Sequence, residues 1–270
     1  VQFTGSAAVL SPDGSRIAVP CESRLCIWST DSHELIAEPD GSNVVAWTPD
    51  GTQLVTSKGP QIVVLEASTG AEVHTLDGHT APDTDDDAGL VVWDIAVSGN
   101  GTIASAGADG TVRLWNNDGA AGAVLEPGTE RPTDVAFSPD GKQLAISNAD
   151  APLEIWDVAK AAKVTELNAG PQGPVTWSPD GSLLATATAK PGGKAQVSVW
   201  HAATFTLNDQ LAIGATSVDF SPGGKQLALT ESSNSDVILW TIGGGDPTRL
   251  DGTLEVLDAA TWSADGRTIY

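Results

Sequence analysis

Apolar residues along the chain come in short runs of three to six, broken by turns rich in Gly, Asp and Asn. No segment sustains the 3.6-residue period of an amphipathic helix, so the pattern predicts strands and no helix. One run, such as Asp134-Val135-Ala136-Phe137, leads into a tight turn. A second, such as Gln143-Leu144-Ala145-Ile146-Ser147, leaves it. A third run ends on an aromatic: Trp28, Trp115, Trp156, Trp200 and Trp240, with Leu65 in the same slot of the second unit. A fourth, more polar run closes each unit, for example 71–76.

The turn between the first two runs makes the periodicity explicit. Ser-Pro-Asp-Gly or a close variant occurs seven times, at 11–14, 48–51, 98–101, 138–141, 178–181, 221–224 and 263–266. Successive copies are 37, 50, 40, 40, 43 and 42 residues apart. Asp-Gly and Asn-Gly favour tight turns because both residues tolerate positive φ. The residue just before each turn is apolar: Leu10, Trp47, Val97, Phe137, Trp177, Phe220 and Trp262. Four short strands in about 40 residues, repeated, is the arithmetic of a propeller blade.

The residues beyond the turns resemble the WD-repeat β-propeller family. Trp156-Asp157 matches its Trp-Asp pair at the end of a third strand, and Gly78-His79 matches the Gly-His pair ahead of a first strand. The third repeat carries the fullest pattern: His79, Ser105, Asp109 and Trp115. The other repeats are degenerate, in a manner similar to bacterial members; Trp28, Trp115, Trp200 and Trp240 are followed by Ser, Asn, His and Thr. The resemblance implies an all-β, seven-bladed propeller of four-stranded antiparallel blades, with the third-strand tryptophans packed between blades. It also implies a hydrogen-bonded chain through His79, Ser105, Asp109 and Trp115. In such propellers the N-terminal strand often completes the last blade. Residues 1–5 resemble a fourth strand, while the last repeat stops inside its second. The last blade is therefore expected to be completed in that way or truncated. We read residues 1–270 as one domain, a piece of a longer chain.

Charge narrows the partners. Thirteen basic against 35 acidic residues give a net charge of −22. That field repels nucleic acid and anionic membrane surfaces. No run approaches the ~18 apolar residues of a membrane span. The composition leaves the compartment open. Cys21 and Cys26, the two cysteines, fit facing strands of one hairpin. A cross-strand disulfide is geometrically possible; two buried, reduced thiols are the plainer reading.

Candidate chemistry is sparse. No histidine pairs locally with a Ser or Cys in a nucleophile motif, and no Gly-rich phosphate loop opens a helix. Asn100-Gly101-Thr102 matches a glycosylation acceptor but lies in a blade turn that needs its Gly. The long gap between the second and third turns holds Asp83, Asp85, Asp86 and Asp87. The alternation Asp83, Asp85, Asp87 faintly resembles a calcium loop, although Ala88 stands where that loop needs Gly; a solvated acidic loop is the plainer reading. Beside it, Trp93 occupies a first-strand position where the other repeats have Ser6, Asn43, Thr133, Gly173, Thr216 and Asp258. It is either a partner anchor or a cap on the core.

The expected function is a non-catalytic protein–protein interaction scaffold, or a regulatory or sensor domain of a larger protein such as a bacterial signalling kinase or ATPase. No cofactor is implied. The expected partner is a protein or peptide carrying basic residues, bound by a monomeric domain. The alternative is a propeller that binds a small ligand or performs catalysis at its central channel.

Overall fold

The computed structural model describes residues 8–21, 24–41, 44–80, 91–116, 118–128, 131–149, 151–168, 173–188, 195–231, 236–250, 259–263 and 265–269. Within them the chain forms six four-stranded antiparallel sheets, each a meander of consecutive strands, and no helix. Blade 1 is β1 (Val9–Leu10), β2 (Arg16–Cys21), β3 (Arg24–Ser29) and β4 (Leu35–Ala37). Blade 2 is β5 (Val45–Trp47), β6 (Gln53–Lys58), β7 (Gln61–Glu66) and β8 (Glu72–Leu76). Blade 3 is β9 (Val92–Val97), β10 (Ile103–Gly107), β11 (Val112–Trp115) and β12 (Ala121–Leu125). Blade 4 runs from β13 (Pro132–Phe137) to β16 (Ala162–Leu167), blade 5 from β17 (Val175–Trp177) to β20 (Thr206–Leu211) and blade 6 from β21 (Ser217–Phe220) to β24 (Thr248–Leu250).

The expectation of seven blades is corrected to six. All seven turns do form. In each, the N–H of the closing Gly donates to the carbonyl of the opening Ser or Thr at 2.8–2.9 Å, from Gly14–Ser11 to Gly266–Ser263. Each of those glycines has a positive φ, between 67° and 86°, which an L side chain adopts only with strain. In six of the turns the opening hydroxyl also donates to the Asp or Asn two residues on, as Ser138 does to Asp140 at 2.7 Å. The turn, however, specifies only the hairpin of a first and second strand. After the seventh turn the described residues hold a single bridge, Trp262–Ile269, and no third or fourth strand. The expected pairing of residues 1–5 lies outside the described residues.

Contacts divide the chain into two compact units, residues 1–135 with 159–162 and residues 136–158 with 163–270. Each has its own apolar layers between blades. In the first unit Ala18, Leu25 and Ile27 pack on Trp47, Leu54 and Leu65, and Val55, Ile62 and Val64 pack on Ile95, Ile103 and Trp115. In the second, Ala145, Leu153 and Ile155 pack on Trp177 and Leu184, and Ala185, Val197 and Val199 pack on Phe220, Leu227 and Trp240. The strand alternation explains the arrangement: successive side chains face opposite neighbours, so each inner strand is apolar on both faces.

Of the third-strand tryptophans, Trp115, Trp156 and Trp240 are buried, and Trp200 is half-buried. Trp28 departs from the expected packing between blades: it is 37% exposed. Cys21 and Cys26 are joined in a disulfide across the β2–β3 hairpin, with Cα atoms 5.8 Å apart. The plainer reading of two reduced thiols is thus corrected: the structure holds the disulfide.

Candidate functional site

Blade 3 gathers the residues with the most connected polar chemistry. His79 follows β8, Ser105 lies mid-β10, Asp109 sits in the β10–β11 turn and Trp115 ends β11. The Trp115 indole N–H donates to Ser105 Oγ at 3.0 Å. Ser105 Oγ and His79 Nε2 are 2.8 Å apart, and His79 Nδ1 stands 3.1 Å from both Asp109 oxygens. An indole N–H only donates and a carboxylate only accepts, so a neutral imidazole has one consistent arrangement. Donation runs from Trp115 to Ser105, from the Ser105 hydroxyl to His79 Nε2, and from His79 Nδ1–H to Asp109.

The electrostatics fit that arrangement. Burial pushes His79 below its ordinary 6.5, outweighing the pull of Asp109. Burial alone raises Asp109. The Thr111 hydroxyl, the charge interaction with His79, and the Thr111 and Thr80 backbone N–H groups outweigh it and hold the carboxyl below its ordinary range. The two partners imply different charges on His79; its depth below the surface favours the neutral form. Gly107 is required beside it, because a Cβ there would lie 2.2 Å from His79 Nδ1 and 2.6 Å from Asp109 Oδ1.

Ser105, His79 and Asp109 thus have the connectivity of a nucleophile, base and orienting carboxylate. Ser105 nevertheless has no exposed surface, and its oxygen is engaged by Trp115. A substrate carbonyl has no route to it. The arrangement ties the chain entering blade 3 to the β10–β11 turn.

Trp93, the second residue of β9, is half-buried. The Arg131 guanidinium stands 5.6 Å from its ring centroid, within cation–π range. Its indole N–H is buried without an acceptor. Thr133, at the same position of the next first strand, also has a buried hydroxyl oxygen without a partner. Asp83, Asp85, Asp86 and Asp87 lie outside the described residues. The four-aspartate lip and the Asp83, Asp85, Asp87 calcium reading therefore receive no geometry. Asn100 is occupied within its turn, accepting from Ser98 Oγ at 2.5 Å and from the Thr102 N–H at 3.2 Å.

Sequence reasoning misses two carboxylates in first strands, one buried and one half-buried. Asp94 in β9 accepts the Val135 N–H of β13 at 2.9 Å. Burial pushes it up to about 6, against the opposing hydrogen bonds of the Asp134 carboxyl and of the Val135 and Ile95 N–H groups. Asp219 in β21 accepts the Trp262 N–H and the Thr261 hydroxyl, each at 2.9 Å, and burial raises it as well. The available signal is a lone Asp inside an apolar first-strand run. Trp47 and Trp177 make comparable links, donating their indole N–H to the Val9 and Ala136 carbonyls of the preceding first strands at 2.9 and 3.0 Å.

Residues 70–116, the stretch holding this blade, match the family described as WD domain, G-beta repeat. Coronin-7 of Rattus norvegicus is 38% identical over 95 residues, 32% of this chain and 10% of that protein. A WD repeat-containing protein of Synechocystis sp. is 34% identical over 97 residues, 34% of this chain and 28% of its own length. Protein HIR1 of Mycosarcoma maydis aligns with 98% of the chain at 24% identity, over 31% of its length. The chain therefore matches less than a third of the length of each of these proteins. A chain in the crystal structure of a mitotic checkpoint complex superposes with a TM-score of 0.84 at 21% identity, covering 99% of this chain and 83% of that one. That likeness concerns the fold. With the Gly78-His79 and Trp156-Asp157 pairs, the repeated turns and the four-stranded blades in place, residues 70–116 match a WD repeat and the rest of the chain resembles WD-repeat proteins.

Proposed function

We propose that this domain is a non-catalytic module that docks a protein or peptide at Trp93. WD-repeat folds are typically interaction scaffolds, and the similar fold in a mitotic checkpoint complex favours a protein partner. The observation that carries the choice of site is Trp93 itself. It is the one aromatic at a first-strand position held elsewhere by small or polar residues, and it keeps exposed surface while its ring is capped by Arg131. Half-buried tryptophans are efficient anchors because they desolvate a large area at little entropic cost.

The partner carries Lys or Arg beside an apolar residue. A net charge of −22 and the run Asp83, Asp85, Asp86, Asp87 steer such a segment, and Trp93 supplies the desolvated contact. The domain acts as a monomer and as the regulatory or scaffold part of a larger signalling protein. The test is a binding assay against short peptides with Lys or Arg flanking Leu, Ile or Phe. Trp93→Ala should weaken the best binder about tenfold or more, the scale of one anchor residue. Replacing Asp85, Asp86 and Asp87 together by Asn should slow association and flatten its salt dependence. Unchanged affinity in both variants moves the site elsewhere.

A further inference from the structure

Opposite residues of an antiparallel pair present their side chains on one face of the sheet. In the β2–β3 hairpin Cys21 pairs with Arg24 and Val19 with Cys26, so the two cysteines are diagonal neighbours on one face. Across the next pairing, Ile27 stands opposite Ala37 and Arg24 opposite Asp40. That register puts Glu38 opposite Cys26, and the Leu25 N–H fixes it by donating to the Pro39 carbonyl at 3.0 Å. Two sulfurs and a carboxylate oxygen therefore meet on one face of blade 1, all within 4.8 Å of one another. All three come from blade 1 itself, so the set is complete whatever lies across that face.

Of the acids at 38 and 40, only one is engaged. Asp40 stands 4.0 Å from Arg24 and 3.5 Å from Lys58. Glu38 has no hydrogen bond or ion pair among the described residues. Cys26 is buried and Cys21 half-buried, while Glu38 is exposed. In the oxidised hairpin the sulfurs are bonded to each other and carry no charge for a metal. A dithiol reductant changes that: it delivers two electrons and two protons, the S–S bond breaks, both sulfurs become thiols, and the dithiol closes to its own disulfide. With Cα atoms 5.8 Å apart, side-chain rotation brings the freed sulfurs to a separation of about 3.8 Å, the spacing of two thiolates on a tetrahedral Zn²⁺ with bonds of about 2.3 Å.

We propose that Cys21, Cys26 and Glu38 form a zinc site in the reduced protein, which the disulfide abolishes in the oxidised one. The two thiolates and the carboxylate take three tetrahedral positions and water the fourth. Thiolate ligation selects Zn²⁺ over Ca²⁺ and Mg²⁺, which take oxygen ligands. Binding releases both thiol protons to solvent, because the thiolate is the ligand. A net charge of −22 draws the cation in. Oxidation by a disulfide acceptor reverses both steps: the acceptor takes two electrons from the sulfurs and two protons from solvent, the S–S bond forms again, and the metal leaves. The hairpin thus holds either a disulfide or an ion. The site is independent of Trp93.

The test is calorimetric titration of the 270-residue protein with Zn²⁺, without oxygen, before and after reduction by a phosphine that is then removed. The phosphine takes up the oxygen of one water while the disulfide becomes two thiols. The reduced protein should bind one equivalent and release about two protons at pH 7. Zn²⁺ should also restore the melting temperature lost on reduction. The oxidised protein carries the same acidic surface and should lack this event, which separates the site from diffuse binding to carboxylates. Glu38→Gln should weaken binding about tenfold or more, since even an outer-shell partner is worth that much. Glu34→Gln, the same charge change just before β4, should leave it unaltered. Circular dichroism of each variant establishes that it is folded. Absence of the one-equivalent event in the reduced protein overturns the proposal, as does equal binding by the oxidised protein. Glu38→Gln binding as tightly as the unaltered chain overturns it too.

Discussion

The Asp94 carboxylate accepts the backbone N–H of Val135 at 2.9 Å, joining the first strands of blades 3 and 4 through a buried acid. Its elevated pKa fixes the sign of a pH effect. A carboxyl whose folded value lies above its unfolded one stabilises the fold fully below the unfolded value, 3.8, and loses that contribution as pH rises through about 6. Asp94→Asn keeps an acceptor for the Val135 N–H and removes the ionisation. Melting curves should show this variant gaining on the unaltered protein as pH rises from 4 to about 7.

His79 works in the opposite direction. Its folded value lies below 6.5, so the unfolded chain binds the proton more readily and stability falls as pH drops below about 6.5. In His79→Gln the drop in melting temperature between pH 7 and pH 5 should shrink. An unchanged slope would show that His79 is not the titrating group.

Trp115 contributes both packing and one hydrogen bond, and two substitutions separate them. Trp115→Ala should cost about 3–5 kcal/mol, the range for a buried large aromatic. Trp115→Phe retains much of the packing. It should cost less, with about 1 kcal/mol assignable to the lost bond with Ser105. Urea denaturation measures both.

The disulfide closes a short loop, with a sequence separation of five between Cys21 and Cys26. Loop-closure entropy for such a span is worth about 2 kcal/mol. Reduction should lower stability by about that amount, and Cys21→Ser with Cys26→Ser should reproduce the loss and abolish the response to reductant.

Between third and fourth strands, blades 2, 3 and 6 place Gly70, Gly119 and Gly243 at positive φ, whereas blade 4 places Ala161 there at 48°. A non-glycine residue in this region is strained by about 1 kcal/mol. Ala161→Gly should raise the melting temperature. A decrease would mean that the flexibility gained by the unfolded chain outweighs the relief.

The turns are legible in the sequence because their chemistry is local: Ser, Asp and Gly within four residues make every bond of the motif. Blade number is not local. A turn announces two strands, and only the third and fourth complete a sheet, so seven turns overcount six blades. The slot of Trp28 is legible too, yet its exposure depends on what covers it, which its neighbours in sequence do not state. Asp94 and Asp219 read as single polar interruptions until the next first strand supplies the N–H that each accepts. His79, Ser105, Asp109 and Trp115 stand out by repeat position; the direction of donation among them emerges only from the distances.

Because every sheet is a meander, each strand pairs only with strands adjacent in sequence. Closing these short connections costs little chain entropy, so sheet formation need not wait for distant segments to meet. A growing polypeptide assembles one blade after each few dozen residues, and several hairpins serve equally well as starting points. Damage is contained for the same reason. A lesion in one sheet removes a packing partner of the sheet layered on it and leaves the hydrogen bonding of the others intact, so heating or proteolysis should release the protein in portions rather than all at once.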